Sequence, residues 1–218
     1  MSLTSQPLCF TTASSALTVT QATPLLMRIA AAILEGQKER PLVLADDEHY
    51  TALLFDHVKS EGIFDLLVPM PSQSYIVDPI NNIPYEEFTR HWAGYATTKR
   101  LYSFKQSGGG PYHQFIQREG EDPDQCLIKA FLCTSDRDEV EDMGEHYPDR
   151  WHIEQFFKND QDLGWKVAGT RNLHIRFGKM TLALTAQAAC AMLRERLGPP
   201  HQSGECRSSG QRSVRGFR

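Results

Sequence analysis

The chain has 218 residues, of which 40% are hydrophobic and 23% charged, so it is long enough to bury one sizeable core. No stretch approaches the roughly 20 consecutive apolar residues of a membrane-spanning helix, and the N-terminus lacks the basic region of a secretory signal. The formal net charge of −4 is not that of a general nucleic-acid-binding protein, and the five cysteines form no CxxC pair. We therefore expect a soluble, cytoplasmic protein with reduced thiols and no membrane partner.

Two helix–strand pairs are predicted in the first third of the chain. Apolar residues recur at helical spacing in residues 22–36 and 50–62, and both segments end at a glycine. Short apolar runs follow each of them, at Leu42–Ala45 and Phe64–Met70, and are typical of buried strands. The order αβαβ indicates an α/β core in which the two strands pair in parallel.

The next segment, Pro71–Thr134, has no helical period and is rich in predicted strands. Strand-like patterns occupy residues 92–106, 111–120 and 125–135. Gly108-Gly109-Gly110 is interpreted as a hairpin turn, because the Lys-Ser/Thr of a phosphate-binding loop does not follow it. We predict a β-rich block inserted into an α/β frame.

Helices are predicted again in the last third of the chain, at about Asp136–Glu145, Pro148–Asp160 and Asn172–Gly198. Residues 199–218 are polar and rich in Ser, Gly and Arg, so we expect them to be disordered. Charge changes sign between the first two helices. Residues 135–149 carry a net charge of −6 and residues 150–181 a net charge of +3.

Polar side chains form a stripe on the helix predicted around Pro148–Asp160. At about 100° per residue, four of them fall within roughly 60° of one another: Tyr147, Arg150, Glu154 and Gln161. Lys158 lies close to the stripe, and the apolar Ile153 and Phe157 flank it. A carboxylate beside an apolar face needs a partner, because an isolated buried charge is very costly. Glu154 would find one in a structural salt bridge to Arg150 or Lys158, or in a metal ion.

A second candidate acid, Asp46, directly follows the strand Leu42–Ala45. Functional side chains gather at the carboxyl ends of strands in open α/β sheets. Asp47 and Glu48 come next, and crowded acids repel one another unless a divalent cation or a basic group compensates them. An ordinary polar loop is the alternative. Taken together, Asp46 and Glu154 predict a hard-oxygen site for Mg²⁺ or Mn²⁺, with basic neighbours of Glu154 placed to hold a phosphate backbone.

These two stretches resemble a known family. "YPDRWHIEQFFKNDQDLGW" is similar to the Tyr-x2-Arg-x3-Glu-x6-Lys signature of bacterial insertion-sequence transposases of the DDE class, with Gln161 in place of the Lys. "VLADDEHYTALL" resembles the second-Asp motif of the same branch, with Asp46 at the catalytic position. The resemblance covers residues 8–198.

The resemblance implies a ribonuclease-H-like α/β core with a β-rich insertion before the last catalytic helix. Residues 1–198 would form this catalytic domain, with residues 71–134 as the insertion. It also implies DNA cleavage and strand transfer at transposon ends by Asp46 and Glu154 with bound Mg²⁺ or Mn²⁺. Tyr147, Arg150, Lys158 and Gln161 would contact DNA.

The family places its first catalytic Asp on the first core strand, and residues 1–45 contain no acid except Glu35 and Glu39. We therefore expect a truncated catalytic domain, impaired or inactive alone, that begins after that strand, with Pro7–Ala16 as the second core strand and the loop after it. The alternatives are a remnant that only binds DNA, or pairs with a full-length transposase or a second copy, and an unrelated α/β protein in which Glu154 forms a structural ion pair.

Overall fold

The computed structural model describes residues 18–34, 40–105, 108–122, 125–151, 154, 158 and 172–197. It divides into two compact units, Met1–His152 and Ile153–Arg218. The segment Pro7–Ala16, the residues Ile153, Phe157 and Gln161, and the tail at 199–218 lie outside the described residues. The predictions made for them therefore stay predictions.

The first unit begins with the alternation that the sequence predicts. Its elements are α1 (Val19–Ile33), β1 (Leu42–Leu44), α2 (Ala52–Glu61) and β2 (Asp65–Pro69). Strands β1 and β2 pair in parallel, which confirms the predicted pairing. Helix α2 starts where the Thr51 hydroxyl accepts a hydrogen bond from the Leu54 N–H, and ends at Gly62, whose φ of 65° suits a left-handed C-cap.

A short helix, α3 (Ser74–Asn81), follows β2 and corrects the prediction of a segment without helix. Its buried face consists of Ile76 and Ile80, four residues apart. A buried face of two residues in eight, with Pro79 inside the helix, is too weak a periodic signal for a prediction. Burial of this pair against the sheet supplies the stability that the local sequence lacks.

Four antiparallel strands come next: β3 (Thr89–Trp92), β4 (Tyr95–Tyr102), β5 (Tyr112–Glu119) and β6 (Leu127–Cys133). Tyr102 pairs with Tyr112, so the triple glycine lies in the connection of a hairpin, as predicted. Strand β6 also pairs antiparallel with β2. Within the described residues, the β-rich block therefore continues the sheet of the first half, in the order β1-β2-β6-β5-β4-β3.

The core lies on both faces of the central strands. Leu66 and Val68 of β2 pack with α1 and α2 on one face, and Leu67 packs with Phe115 and Phe131 on the other. Since alternate residues of a strand face opposite sides, four consecutive residues of β2 are buried. This sheet, covered on both faces, fixes the position of the β1 carboxyl end, where Asp46 lies.

Short helical turns of different types replace the helix predicted at Asp136–Glu145 and the first residues of the helix predicted at Pro148–Asp160. They are α4 (Glu139–Glu141), a π-helical turn (Asp142–His146) and a 3₁₀ turn (Tyr147–Arg150). Trp151, Glu154 and Lys158 are also helical. In the second unit, α5 (Leu173–Leu197) confirms the long C-terminal helix. No helix among the described residues is long and apolar enough to cross a membrane.

Candidate active site

Asp46 lies immediately beyond β1, where the chain leaves the sheet. The Ala45 N–H donates to the Leu67 carbonyl oxygen over 3.1 Å, which ties the residue before Asp46 to β2. Asp46 itself is extended and begins the 3₁₀ turn Asp47–His49. Its side chain is 47% exposed. The carboxylate is therefore held by a rigid strand but remains accessible to a ligand.

His49 is a neighbour of Asp46 that sequence reasoning missed. Its Nδ1 lies 2.6 Å from Asp46 Oδ1, and its side chain is only 22% exposed. The 3₁₀ turn brings residues three apart onto the same side, so the spacing Asp-x-x-His was the available signal. His49 limits the rotation of the carboxylate and leaves its second oxygen for another partner.

Tyr147 and Arg150 come together as the sequence predicts, but in a 3₁₀ turn instead of an α-helix. Three residues per turn place positions i and i+3 above one another. The Arg150 guanidinium carbon lies 5.6 Å from the centre of the Tyr147 ring. The ring in turn packs on Phe131 of β6, with centroids 4.7 Å apart and planes inclined by 68°. The sheet therefore supports the Tyr147 ring, against which Arg150 lies.

The electrostatic environment of Tyr147 connects it with Asp46. Burial raises the pKa of the Tyr147 phenol, the charge and hydrogen bond of Arg150 lower it, and the negative charges of Asp46 and Asp47 raise it again. The net shift is upward, so the phenol stays protonated at neutral pH and can donate a hydrogen bond. Within the first unit, Tyr147 thus contacts Arg150 and is near enough to Asp46 and Asp47 for their charges to act on its phenol.

Glu154 and Lys158 lie in the second unit, where both are helical and exposed. The sequence places Glu154 at the border of an apolar face, and its exposure is the opposite of the burial expected there. Because Glu154 is exposed, its charge remains hydrated and does not require a compensating partner on account of burial.

A cleft of about 530 Å³ opens beside Asp47 and Tyr147 in the first unit. Its apolar lining includes Ile76 and Ile80 of α3 together with Phe131 of the sheet. Polar groups line it as well, among them Gln117, Glu119 and Lys129. The candidate site therefore borders a concave, mostly apolar surface and does not lie on a flat one.

A profile of the family described as "Transposase DDE domain" matches residues 3–192. The chain belongs to this DDE transposase family. The match shows a general role in transposition and implies DNA as a partner. Comparison with curated proteins found no significant match.

The carboxylates of this DDE transposase domain are suited by their chemistry to a divalent cation. Asp46 is partly exposed and Glu154 is exposed, so both offer the carboxylate oxygens that Mg²⁺ and Mn²⁺ prefer. Among the described residues, however, no group of three or more His, Cys, Asp or Glu side chains is arranged to hold a metal ion.

Proposed function

We propose that this DDE transposase domain cleaves and transfers DNA strands at transposon ends with Mg²⁺ or Mn²⁺, and that it belongs to the Tyr-Arg-Glu-Lys branch. The observation that carries the proposal is the accessible Asp46 carboxylate directly beyond β1. The contact of Arg150 with Tyr147, on whose phenol the Asp46 charge acts, supports it. The family match over residues 3–192 supports it. A ribonuclease-H-like catalytic domain over residues 1–198, with 71–134 as its insertion, and a cytoplasmic location are parts of the same proposal.

Asp46 and Glu154 would hold the metal. A divalent ion held by them would supply activation of the attacking oxygen and stabilisation of the leaving oxygen. The chain's own groups orient the DNA. The protonated Tyr147 phenol donates to a phosphate oxygen, and Arg150 presents a planar guanidinium to the same backbone. His49 keeps the Asp46 carboxylate in one orientation while it binds.

Lys158 and Gln161 complete the proposed DNA contacts. Lys158 is exposed and supplies a positive charge that Gln161 lacks. An exposed ammonium near a phosphate adds affinity that falls with salt and carries no sequence information.

A second function, DNA binding or transposase pairing without catalysis, is favoured by a different observation. DDE chemistry uses three acids, and the described residues do not group Asp46 with two further His, Cys, Asp or Glu ligands. In this role the domain binds DNA through Tyr147, Arg150 and Lys158, or pairs with a second copy or a full-length transposase.

The deciding experiment measures Mn²⁺ binding by electron paramagnetic resonance, together with nicking of a labelled duplex. If catalysis is correct, Asp46→Asn and Glu154→Gln each weaken Mn²⁺ binding at least about tenfold and abolish nicking. Glu48→Gln, a neighbouring exposed acid, is the matched control and keeps both. DNA binding that weakens steeply with salt, needs no divalent ion and leads to no nicking would instead establish the binding role. Without DNA binding or nicking, both roles are wrong.

A further inference from the structure

The π-helical turn Asp142–His146 ends where the candidate site begins, because Tyr147 directly follows His146. A π-helical turn is rare, and it occurs frequently at functional sites. The extra residue in its turn changes the direction in which the following side chains point. The contacts that stabilise this turn therefore also determine where the side chains of Tyr147 and Arg150 point.

One buried carboxylate holds both ends of the turn. The side chain of Asp142, the first residue, is 1% exposed. Its Oδ2 accepts a hydrogen bond of 2.8 Å from Arg137 Nε, and its Oδ1 lies 2.9 Å from Nδ1 of His146, the last residue. A buried carboxylate needs such partners to satisfy its oxygens, so the contacts hold Arg137, Asp142 and His146 in one arrangement.

Arg137 connects the turn with the sheet. Its Nη1 lies 3.3 Å from Oδ2 of Asp65, the buried first residue of β2. Strand β2 is also the neighbour that holds β1, beyond which Asp46 lies. A continuous series of polar contacts therefore runs from the sheet that positions Asp46 to the turn that positions Tyr147.

We propose that Asp142, held between Arg137 and His146, is a positioning residue that fixes Tyr147 and Arg150 relative to Asp46. The inference rests on the proposed function, in which Tyr147 and Arg150 contact DNA. Asp142 itself is buried and does not touch the DNA. Asp142 acts through the π-helical turn. Replacing it with asparagine therefore reduces the contribution of Arg150 to DNA affinity, while the protein still folds.

The test is a double-mutant cycle on DNA affinity, measured by fluorescence anisotropy with a labelled duplex. Arg150→Ala alone weakens binding about tenfold, as expected for a lost phosphate contact. In the Asp142→Asn background the same change weakens binding less than about threefold, because Arg150 is no longer directed at the DNA. If Arg150→Ala costs the same factor in both backgrounds, Asp142 has only a structural role and the inference is wrong.

Asp138→Asn is the matched control. Asp138 lies in the same segment and caps α4 by accepting from the N–H groups of Val140 and Glu141, at 3.0 Å each. Asparagine keeps that acceptor, so Arg150→Ala retains its tenfold effect in this background. Should Asp142→Asn not fold, His146→Gln at the more exposed end of the turn takes its place in the same cycle and decides by the same criterion.

The two proposals fail in different ways. If Arg150→Ala and Tyr147→Phe leave the affinity of the folded protein unchanged, the DNA role of these residues is wrong and the positioning role is wrong with it. If Arg150→Ala weakens binding but is not coupled to Asp142, only the positioning role is wrong.

Discussion

The phenol of Tyr147 is surrounded by groups that act on its pKa in opposite directions. Burial is the largest of these effects, and the pKa is raised. Sequence spacing was sufficient to predict that Tyr147 and Arg150 lie together, since positions three apart meet in any helical turn. It was not sufficient for His49 beside Asp46 or for the buried Asp142. Those contacts depend on which turns the chain forms, and a polar residue in a loop has the same sequence pattern whether it is buried or exposed.

Cys133, the last residue of β6, is a free cysteine with a buried thiol. Burial is the main cause that raises the pKa of its thiol, to about 11. At pH 8 only about one molecule in a thousand then carries the reactive thiolate. We expect a maleimide to label the exposed Cys190 rapidly in the native protein and Cys133 only after unfolding, as read by peptide mass spectrometry. Equal labelling rates in the native state would contradict the burial of Cys133.

At the scale of elements, Lys99 joins strand β4 to α4. Its Nζ lies 2.9 Å from Glu139 Oε2, and the Thr97 hydroxyl donates to Glu139 Oε1 over 3.0 Å. Burial acts to raise the pKa of the Glu139 carboxyl, but hydrogen bonds from Lys99 and Thr97 outweigh it, so the pKa lies below its ordinary value of 4.5. The stabilisation is therefore complete above that ordinary value and is lost as the pH falls through the lowered pKa.

We expect Lys99→Met to reduce the free energy of unfolding by about 1 kcal/mol at pH 7, and by less at pH 3, because this stabilisation declines as the pH falls through the lowered pKa of Glu139. Urea unfolding at the two pH values measures the difference. The control is Lys129→Met, which removes an exposed ion pair with Glu119 and should change stability by no more than about 0.5 kcal/mol. A loss that is the same at both pH values would show that the Lys99 ammonium does not act through a carboxylate.

Elements with a strong local period were the ones that sequence alone could predict. Helices α1 and α2 have apolar stripes over several turns, and strands β1 and β2 are apolar runs followed by turn residues. Helix α3 has a buried face of only two residues, Ile76 and Ile80, and was missed. The π-helical turn at Asp142–His146 was also missed, because partners distant in sequence, including Asp65, stabilise it.

At the scale of the whole molecule, β2 is the strand on which the first unit depends. Leu67 is fully buried and packs against Phe115 and Phe131 from two other strands. Sequence predicted that β2 is a buried strand. It did not predict β6 as a neighbour, because an antiparallel partner so far along the chain leaves no local pattern. The single continuous sheet is thus a property of tertiary packing.

We expect Leu67→Ala to lower the free energy of unfolding of the first unit by about 3 kcal/mol, since it leaves a cavity between strands that cannot close around it. Hydrogen exchange of the β2, β5 and β6 amides should accelerate together, because these strands share the cavity. Leu127→Ala, at a position 53% exposed in β6, is the control and should change stability by less than about 0.5 kcal/mol. Faster exchange confined to β2 would contradict one cooperative sheet.

The pairing of β2 with β6 also imposes an order of events during synthesis. Val68 pairs with Leu132, so β2 leaves the ribosome well before its antiparallel partner exists. Strands β4 and β5 can form their hairpin locally during that interval, whereas β2 remains without its antiparallel partner β6. A nascent chain that ends before Leu127 would therefore present an unpaired edge of buried-type residues, the kind of surface through which partly made proteins aggregate.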